Sequence, residues 1–341
     1  MTLLERLLIE RILLHGPIGV SEYMQSCLTH PEHGYYSTKD PIGAKGDFIT
    51  APEVSQMFGE MIGMWIVAQW LAADKPNWQL IEMGPGRGTM MADILRIAKT
   101  ASFEPEVWLV ETSPKMRELQ QTKLPEARFA EGLNEIPPGP AVIIANEFFD
   151  ALPVKQYLRS PEGWRERQVG VEEDMKLGWG LSGAIPAEGD IDSDWVEISP
   201  IGDTIAEEIS TRISTNGGAA LIIDYGYQFE DRPEGPTLQA VQRHKKVDPL
   251  NRPGKVDLTW LVDFDRLIGL MPDVDCYLAT QGAYLTSMGI GDRAKVLANS
   301  NPDAADDVAD ALERLTGEDK MGKLFKVLAA VPSGQSKPTG F

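Results

Sequence analysis

Apolar residues between Ser55 and Leu71 fall at Met57, Phe58, Met61, Ile62, Trp65, Ile66 and Trp70, a helical period that predicts a helix buried on one face. An earlier apolar stretch, Leu3 to Leu14, is broken by Glu5, Arg6, Glu10 and Arg11, which reads as an amphipathic helix ending near His15-Gly16-Pro17. From Trp78 the pattern changes to short apolar runs alternating with helical periods. Trp78–Met83, Val107–Val110 and Ala141–Ala145 read as strands, and Thr89–Thr100 and Ser113–Lys123 as helices. A helix over Ile201–Ile213 precedes another buried strand, Ala219–Ile223. Such alternation predicts a parallel sheet wrapped by helices. Val154 to Trp195 reads as antiparallel strands, inserted in the sheet order or packed at its edge. Leu324 to Val331 is expected to close the sheet, and Ser333 to Phe341 to fray.

The predicted fold is therefore α/β, a Rossmann-like doubly wound sheet. It is preceded by an N-terminal helical and lid region, residues 1–75. The main domain covers 76–332 with an insertion around 154–198, and 333–341 form a tail.

The chemistry is concentrated at strand ends. Gly84-Pro85-Gly86-Arg87-Gly88 lies between a predicted strand and a predicted helix, where the backbone must turn sharply and approach a ligand without Cβ atoms in the way. The new helix then presents free N–H groups. A dinucleotide fingerprint needs glycine where Thr89 stands, and no Gly-Lys-Ser/Thr triplet of a phosphate loop occurs. Glu82 favours a cationic ligand head over a pyrophosphate. Glu111 closes the next strand, where a carboxylate can accept from both ribose hydroxyls. Together these features describe S-adenosyl-L-methionine (SAM). Gly132 and Leu133, after the third strand, are candidates for adenine contacts, with a plain turn as the alternative. Phe48 and Thr50 belong to a segment expected to close over the cofactor, although Phe48 also suits a core.

Asn146-Glu147-Phe148-Phe149-Asp150 follows the strand Ala141–Ala145, at the sheet edge that faces ligands in such folds. Asn146 is a candidate cofactor contact, and Glu147 and Asp150 are the candidate catalytic acids. A carboxylate there can hold a guanidinium through paired hydrogen bonds. The competing reading has Glu147 capping a helix while Phe148 and Phe149 pack in the core.

Gly46–Glu60, Glu82–Gly88, Val110–Pro114, Asn146–Pro153, Asp224-Tyr225-Gly226 and Met321–Lys326 resemble the MidA family of SAM-dependent methyltransferases, and the resemblance spans nearly the whole chain. It implies a class I methyltransferase fold, protein-arginine methylation with a respiratory complex I subunit as the acceptor, and a role in complex I assembly. Glu147 also resembles the first acid of the substrate loop of arginine methyltransferases. That loop's second acid has no counterpart at the family spacing, Glu162 lying too far and Asp150 too near. Two other functions stand beside this one: a small-molecule N- or O-methyltransferase, and an assembly chaperone with little catalysis.

A net charge of −19 disfavours nucleic acid and suits a basic partner. Two cysteines and four scattered histidines offer neither a disulfide framework nor a metal site. No apolar run reaches the roughly 20 residues of a membrane span. The N-terminus lacks a cleavage pattern, so the expectation is a cytoplasmic, bacterial-type chain that needs no metal.

Overall fold

A computed structural model describes residues 1–38, 50–185, 193–242 and 245–341. Helix α1 (Leu3–His15) opens with a reciprocal cap. Thr2 accepts the Glu5 N–H while Glu5 accepts the Thr2 N–H, each at 3.0 Å. It turns Leu4, Leu8, Ile9 and Ile12 inward, and α2 (Val20–Thr29) adds Tyr23, Met24, Cys27 and Leu28. After the short α3 (Ala51–Val54), Ser55 caps the long α4 (Gln56–Ala72) by accepting the Met57 N–H. The apolar stripe read from the sequence is buried in α4, together with Gly59, Gly63 and one charged residue, Glu60.

Glu60 is 1% exposed and lies between two guanidinium groups. It accepts from Arg96 on α5 (Thr89–Thr100) at 2.9 Å and from Arg293 Nε at 2.7 Å. Burial alone would raise its pKa, but Arg293 and Arg96 together hold the carboxyl below its ordinary value. Glu60→Ala would leave both arginines without their shared acceptor and open a hole between α4 and α5. The arginines are partly exposed, so the expected loss is about 2–3 kcal/mol, less than the roughly 3–5 kcal/mol of a fully buried pair. Urea unfolding of the two chains measures it.

The central sheet is built from β1 (Gln79–Met83), β2 (Glu106–Val110), β3 (Arg128–Ala130), β4 (Ala141–Asn146), β5 (Gly218–Tyr227), β6 (Val274–Thr280) and β7 (Phe325–Pro332). Their spatial order is β6-β7-β5-β4-β1-β2-β3. Neighbours from β5 to β3 pair in parallel, whereas β7 runs antiparallel to both β5 and β6. Strands β1, β4 and β5 are buried on both faces, which explains why they read as continuous apolar runs. One face is covered by α4 and α5. The other is covered by α7 (Pro200–Asn216) and α8 (Phe264–Gly269), while α6 (Pro114–Lys123) follows β2. Register sets the edge that matters: Met83 lies opposite Ala145, and Ile223 opposite Asn146. The carboxyl ends of β1 and β4 are therefore level, with β5 continuing past them to Tyr227, next to the point where strand order reverses between β4 and β1.

Strands over residues 155–160, 163–171, 177–181 and 195–198 pair antiparallel, as the alternation predicts. They make a sheet of their own, joined by Ile18–Gly19. A further three-stranded sheet comes from Gln239–Gln242, Lys245–Val247 and Asp257–Thr259. Residues of both sheets share a core with α1 and α2 that is separate from the two cores flanking the central sheet. The C-terminal end does not fray: Phe341 packs on Tyr284 with ring centroids 5.3 Å apart, and Pro338 is buried.

Candidate active site

The turn after β1 depends on three left-handed glycines, with φ +61° at Gly84, +52° at Gly86 and +68° at Gly88. Gly84 N–H donates to the Val110 carbonyl of β2 at 3.0 Å, and Gly88 N–H donates to Pro85 at 2.8 Å. A Cβ on Gly84 would stand 2.8 Å from the Phe148 ring. The turn is thus clamped against the segment that follows β4.

Glu82, one residue before the end of β1, is buried, and its Oε2 has no hydrogen-bond partner. Burial pushes its pKa up to about 8, with Lys123 pulling weakly the other way. Glu111 follows β2 and accepts the Ser113 N–H at 2.8 Å on one oxygen. Its other oxygen accepts from Gln120 Nε2 at 3.2 Å, and the same nitrogen donates to the Gly86 carbonyl at 2.6 Å. Gln120, fully buried on α6, therefore ties Glu111 to the glycine turn. It is not legible in the sequence, because nothing in a mostly polar helix distinguishes one glutamine from its neighbours.

The turn after β4 supplies the acids. Glu147 adopts φ +49°, a left-handed conformation that is costly for any residue but glycine. Its Oε1 accepts the Ala51 N–H at 3.0 Å and the Asn146 amide at 3.4 Å. The helix-cap reading of Glu147 is thus partly realised, although the helix start it caps, α3, is distant in sequence. Burial, with Asp150 nearby, raises the Glu147 pKa to about 7 against the hydrogen bond from Ala51. Phe149 is buried in the core and meets Phe148 edge-on at 5.5 Å.

Thr50, Glu53, Glu82, Gly84, Gly86, Thr89, Asn146 and Glu147 line one cleft at the carboxyl ends of β1 and β4. The candidates Thr50, Glu82, Gly84, Gly86, Asn146 and Glu147 are thereby brought together, while Gly88 caps α5 just behind them. Glu53 is a lining residue that the sequence reading did not single out; it accepts from Thr89 at 2.8 Å. Asp150 lies behind the cleft. It is 4% exposed and accepts from the Tyr225 hydroxyl, and burial raises its pKa to about 6. The Leu133 side chain packs in the core with Ile81 and Met83, and neither Gly132 nor Leu133 lines the cleft. Phe48 lies outside the described residues. Among the described residues no group of side chains has the arrangement of a metal site, and no helix is long and apolar enough to cross a membrane.

Residues 61–278 match the family model for S-adenosyl-L-methionine-dependent methyltransferases. The chain belongs to that family. It is 39% identical to the mouse protein arginine methyltransferase NDUFAF7, mitochondrial, over 96% of this chain and 84% of that one. The human protein of the same name is 37% identical over 96% and 83%. A crystal structure from Burkholderia thailandensis, solved with S-adenosyl-homocysteine bound, shares the fold. Its TM-score is 0.85 at 24% identity, over 99% of this chain and 94% of that one. The relatives are named as mitochondrial proteins, which overturns the expectation of a cytoplasmic chain.

The methyltransferase cleft fits its cofactor. Glu82 Oε2 and Asn146 Oδ1 are buried acceptors without donors, which a ligand ammonium or hydroxyl would satisfy. Glu82 would hold the cationic amino-acid end, Glu111 the ribose, and the backbone of Gly84 and Gly86 would lie against the ligand. SAM supplies an electrophilic methyl on a positively charged sulfur. Binding a cation at Glu82 favours its ionised form, so SAM affinity is expected to rise from pH 6 toward about pH 8, above which the ligand's own ammonium loses its proton and the rise ends. Calorimetry between pH 6 and 9 measures this, and a flat profile would place the cation elsewhere.

Proposed function

We propose that the protein is a protein-arginine N-methyltransferase, with a respiratory complex I subunit as its acceptor. The observation that carries this reading is Glu147. It is a carboxylate on the cleft wall whose Oε1 is engaged, while Oε2 accepts no hydrogen bond among the described residues and can receive a guanidinium. Relatives named as protein arginine methyltransferases and the net charge of −19 support a cationic protein acceptor. By pairing with one edge of the guanidinium, Glu147 fixes its plane and localises its charge, which leaves a terminal nitrogen to attack. The acceptor nitrogen forms a bond to the methyl carbon as the sulfur–carbon bond breaks. S-adenosyl-homocysteine departs neutral, and the proton of the methylated nitrogen passes to Glu147, an acid with a pKa near neutrality. Asp150 would act from behind, as part of the frame that holds Glu147.

The test is an extract of cells lacking the gene, incubated with the purified protein and methyl-labelled SAM, followed by peptide mass spectrometry. The expected result is labelled methylarginine, enriched on complex I subunits. Label confined to small metabolites would overturn the reading in favour of a small-molecule methyltransferase.

A further inference from the structure

The geometry points to Asp224 as the positioning residue for Glu147, an inference that rests on the reading of Glu147 given above. Asp224 lies on β5, fully buried, and is not one of the residues that line the cleft. Its Oδ2 accepts three consecutive backbone N–H groups: Phe148 at 3.2 Å, Phe149 at 3.0 Å and Asp150 at 3.2 Å. The preceding N–H, that of Glu147 itself, donates to the Ile223 carbonyl at 2.8 Å. Four successive amides of the turn thus end on two adjacent residues of one strand. Asp224 Oδ1 accepts the Tyr225 N–H at 2.9 Å, and the Tyr225 hydroxyl donates to Asp150, so the far end of the turn is braced from the same strand.

This arrangement answers a physical question set by the Glu147 backbone. A non-glycine residue at φ +49° persists only where its surroundings over-determine it. A single carboxylate oxygen that collects three amides supplies that constraint, because freeing it would leave three N–H groups without acceptors in a buried place. The left-handed turn is what sends the Glu147 side chain across to the Ala51 N–H and onto the cleft wall. Burial, with Asp150 and Glu147 close by, raises the Asp224 pKa. The amides are satisfied by the oxygen in either protonation state, so its task here is geometric.

Two variants in the full-length protein test the assignment. Asp224→Ala removes the acceptor, and Asp224→Asn keeps an oxygen able to take the three amides. Three properties are read: hydrogen exchange of the 147–150 amides, SAM affinity by calorimetry, and label transfer from SAM to protein in the gene-deletion extract. The alanine chain is expected to exchange those amides about tenfold faster or more, as for a turn released from its frame. It is expected to keep SAM affinity within about threefold, and to lose about a hundredfold in transfer rate, as for a misplaced positioning group. Asparagine is expected to restore protection and most of the rate. The inference is overturned if alanine leaves exchange unchanged, or if SAM affinity falls in step with rate. It is overturned equally if a folded asparagine chain binds SAM normally, keeps the turn protected and still fails to transfer; that comparison needs no alanine chain. If the unaltered protein labels no protein, the arginine reading fails, while the exchange measurement still decides whether Asp224 holds the turn.

Discussion

A Gly86→Val chain is expected to fold, to keep its central sheet, and to bind no measurable SAM. Gly86 has φ +52° and lines the cleft. A branched side chain there meets two penalties of different size. The backbone cost of a left-handed β-branched residue is about 1–2 kcal/mol, small against a folding stability of roughly 5–15 kcal/mol. The two isopropyl methyls, by contrast, stand where the backbone must approach the ligand, and no shift of Gly86 is free. Its carbonyl accepts from the buried Gln120 at 2.6 Å, and its neighbours Gly84 and Gly88 are clamped to β2 and to α5. Circular dichroism and the unfolding midpoint should therefore stay near those of the parent, while the calorimetric SAM signal disappears. Gly86→Ala separates the penalties: it carries most of the backbone strain with less bulk, and should weaken binding without abolishing it. A folded valine chain with undiminished SAM affinity would remove the glycine turn from the cofactor site.

The parts of this site that sequence reading reaches are those that depend on neighbours in the chain. The strands β1, β4 and β5 are buried on both faces, so their apolar runs announce them. The glycine turn is legible because its strand and its helix adjoin it. Glu82, Glu111 and Glu147 are legible because each stands at or just after a strand end. What stays hidden depends on distant pairings. Asp224 meets the Phe148–Asp150 amides across about 75 positions of sequence, and Glu147 meets Ala51 across 96. Asp150, read as a second catalytic acid from its place in the motif, is turned toward Tyr225 because the turn reverses the chain before it. The three-stranded sheet over 239–259 was invisible for another reason. Its strands are three or four residues long and carry polar residues such as Gln239, Gln242, Lys245 and Lys246, so neither period emerges. The C-terminal tail read as frayed from its terminal position, yet Phe341 finds the Tyr284 ring.

Glu147→Gln is expected to retain SAM affinity within a few fold and to lose methyl transfer by about ten- to a hundredfold or more. The amide keeps an oxygen for the Ala51 N–H, so the 50–54 segment and the turn stay in place. What disappears is the charge. A hydrogen bond to a charged partner contributes roughly 1.5–3 kcal/mol, and each 1.36 kcal/mol removed from transition-state stabilisation is a factor of about ten in rate. The pH profile gives an independent reading of the same group. Burial places the Glu147 pKa at about 7, with Asp150 adding to the rise and the hydrogen bond from Ala51, the Asn146 amide and Arg314 opposing it. The form that holds a guanidinium is the ionised one, so the parent rate should be low at pH 6, rise through pH 7 and level off above it. The glutamine chain has no proton to lose there, and should show that limb flattened as well as a lower plateau. The two observations must agree. A glutamine chain that transfers methyl groups at the parent rate would make Glu147 a cap for the Ala51 segment and no more. A parent rate that falls through pH 7 would mean that the protonated acid is the working form, acting as a donor where a carboxylate is expected.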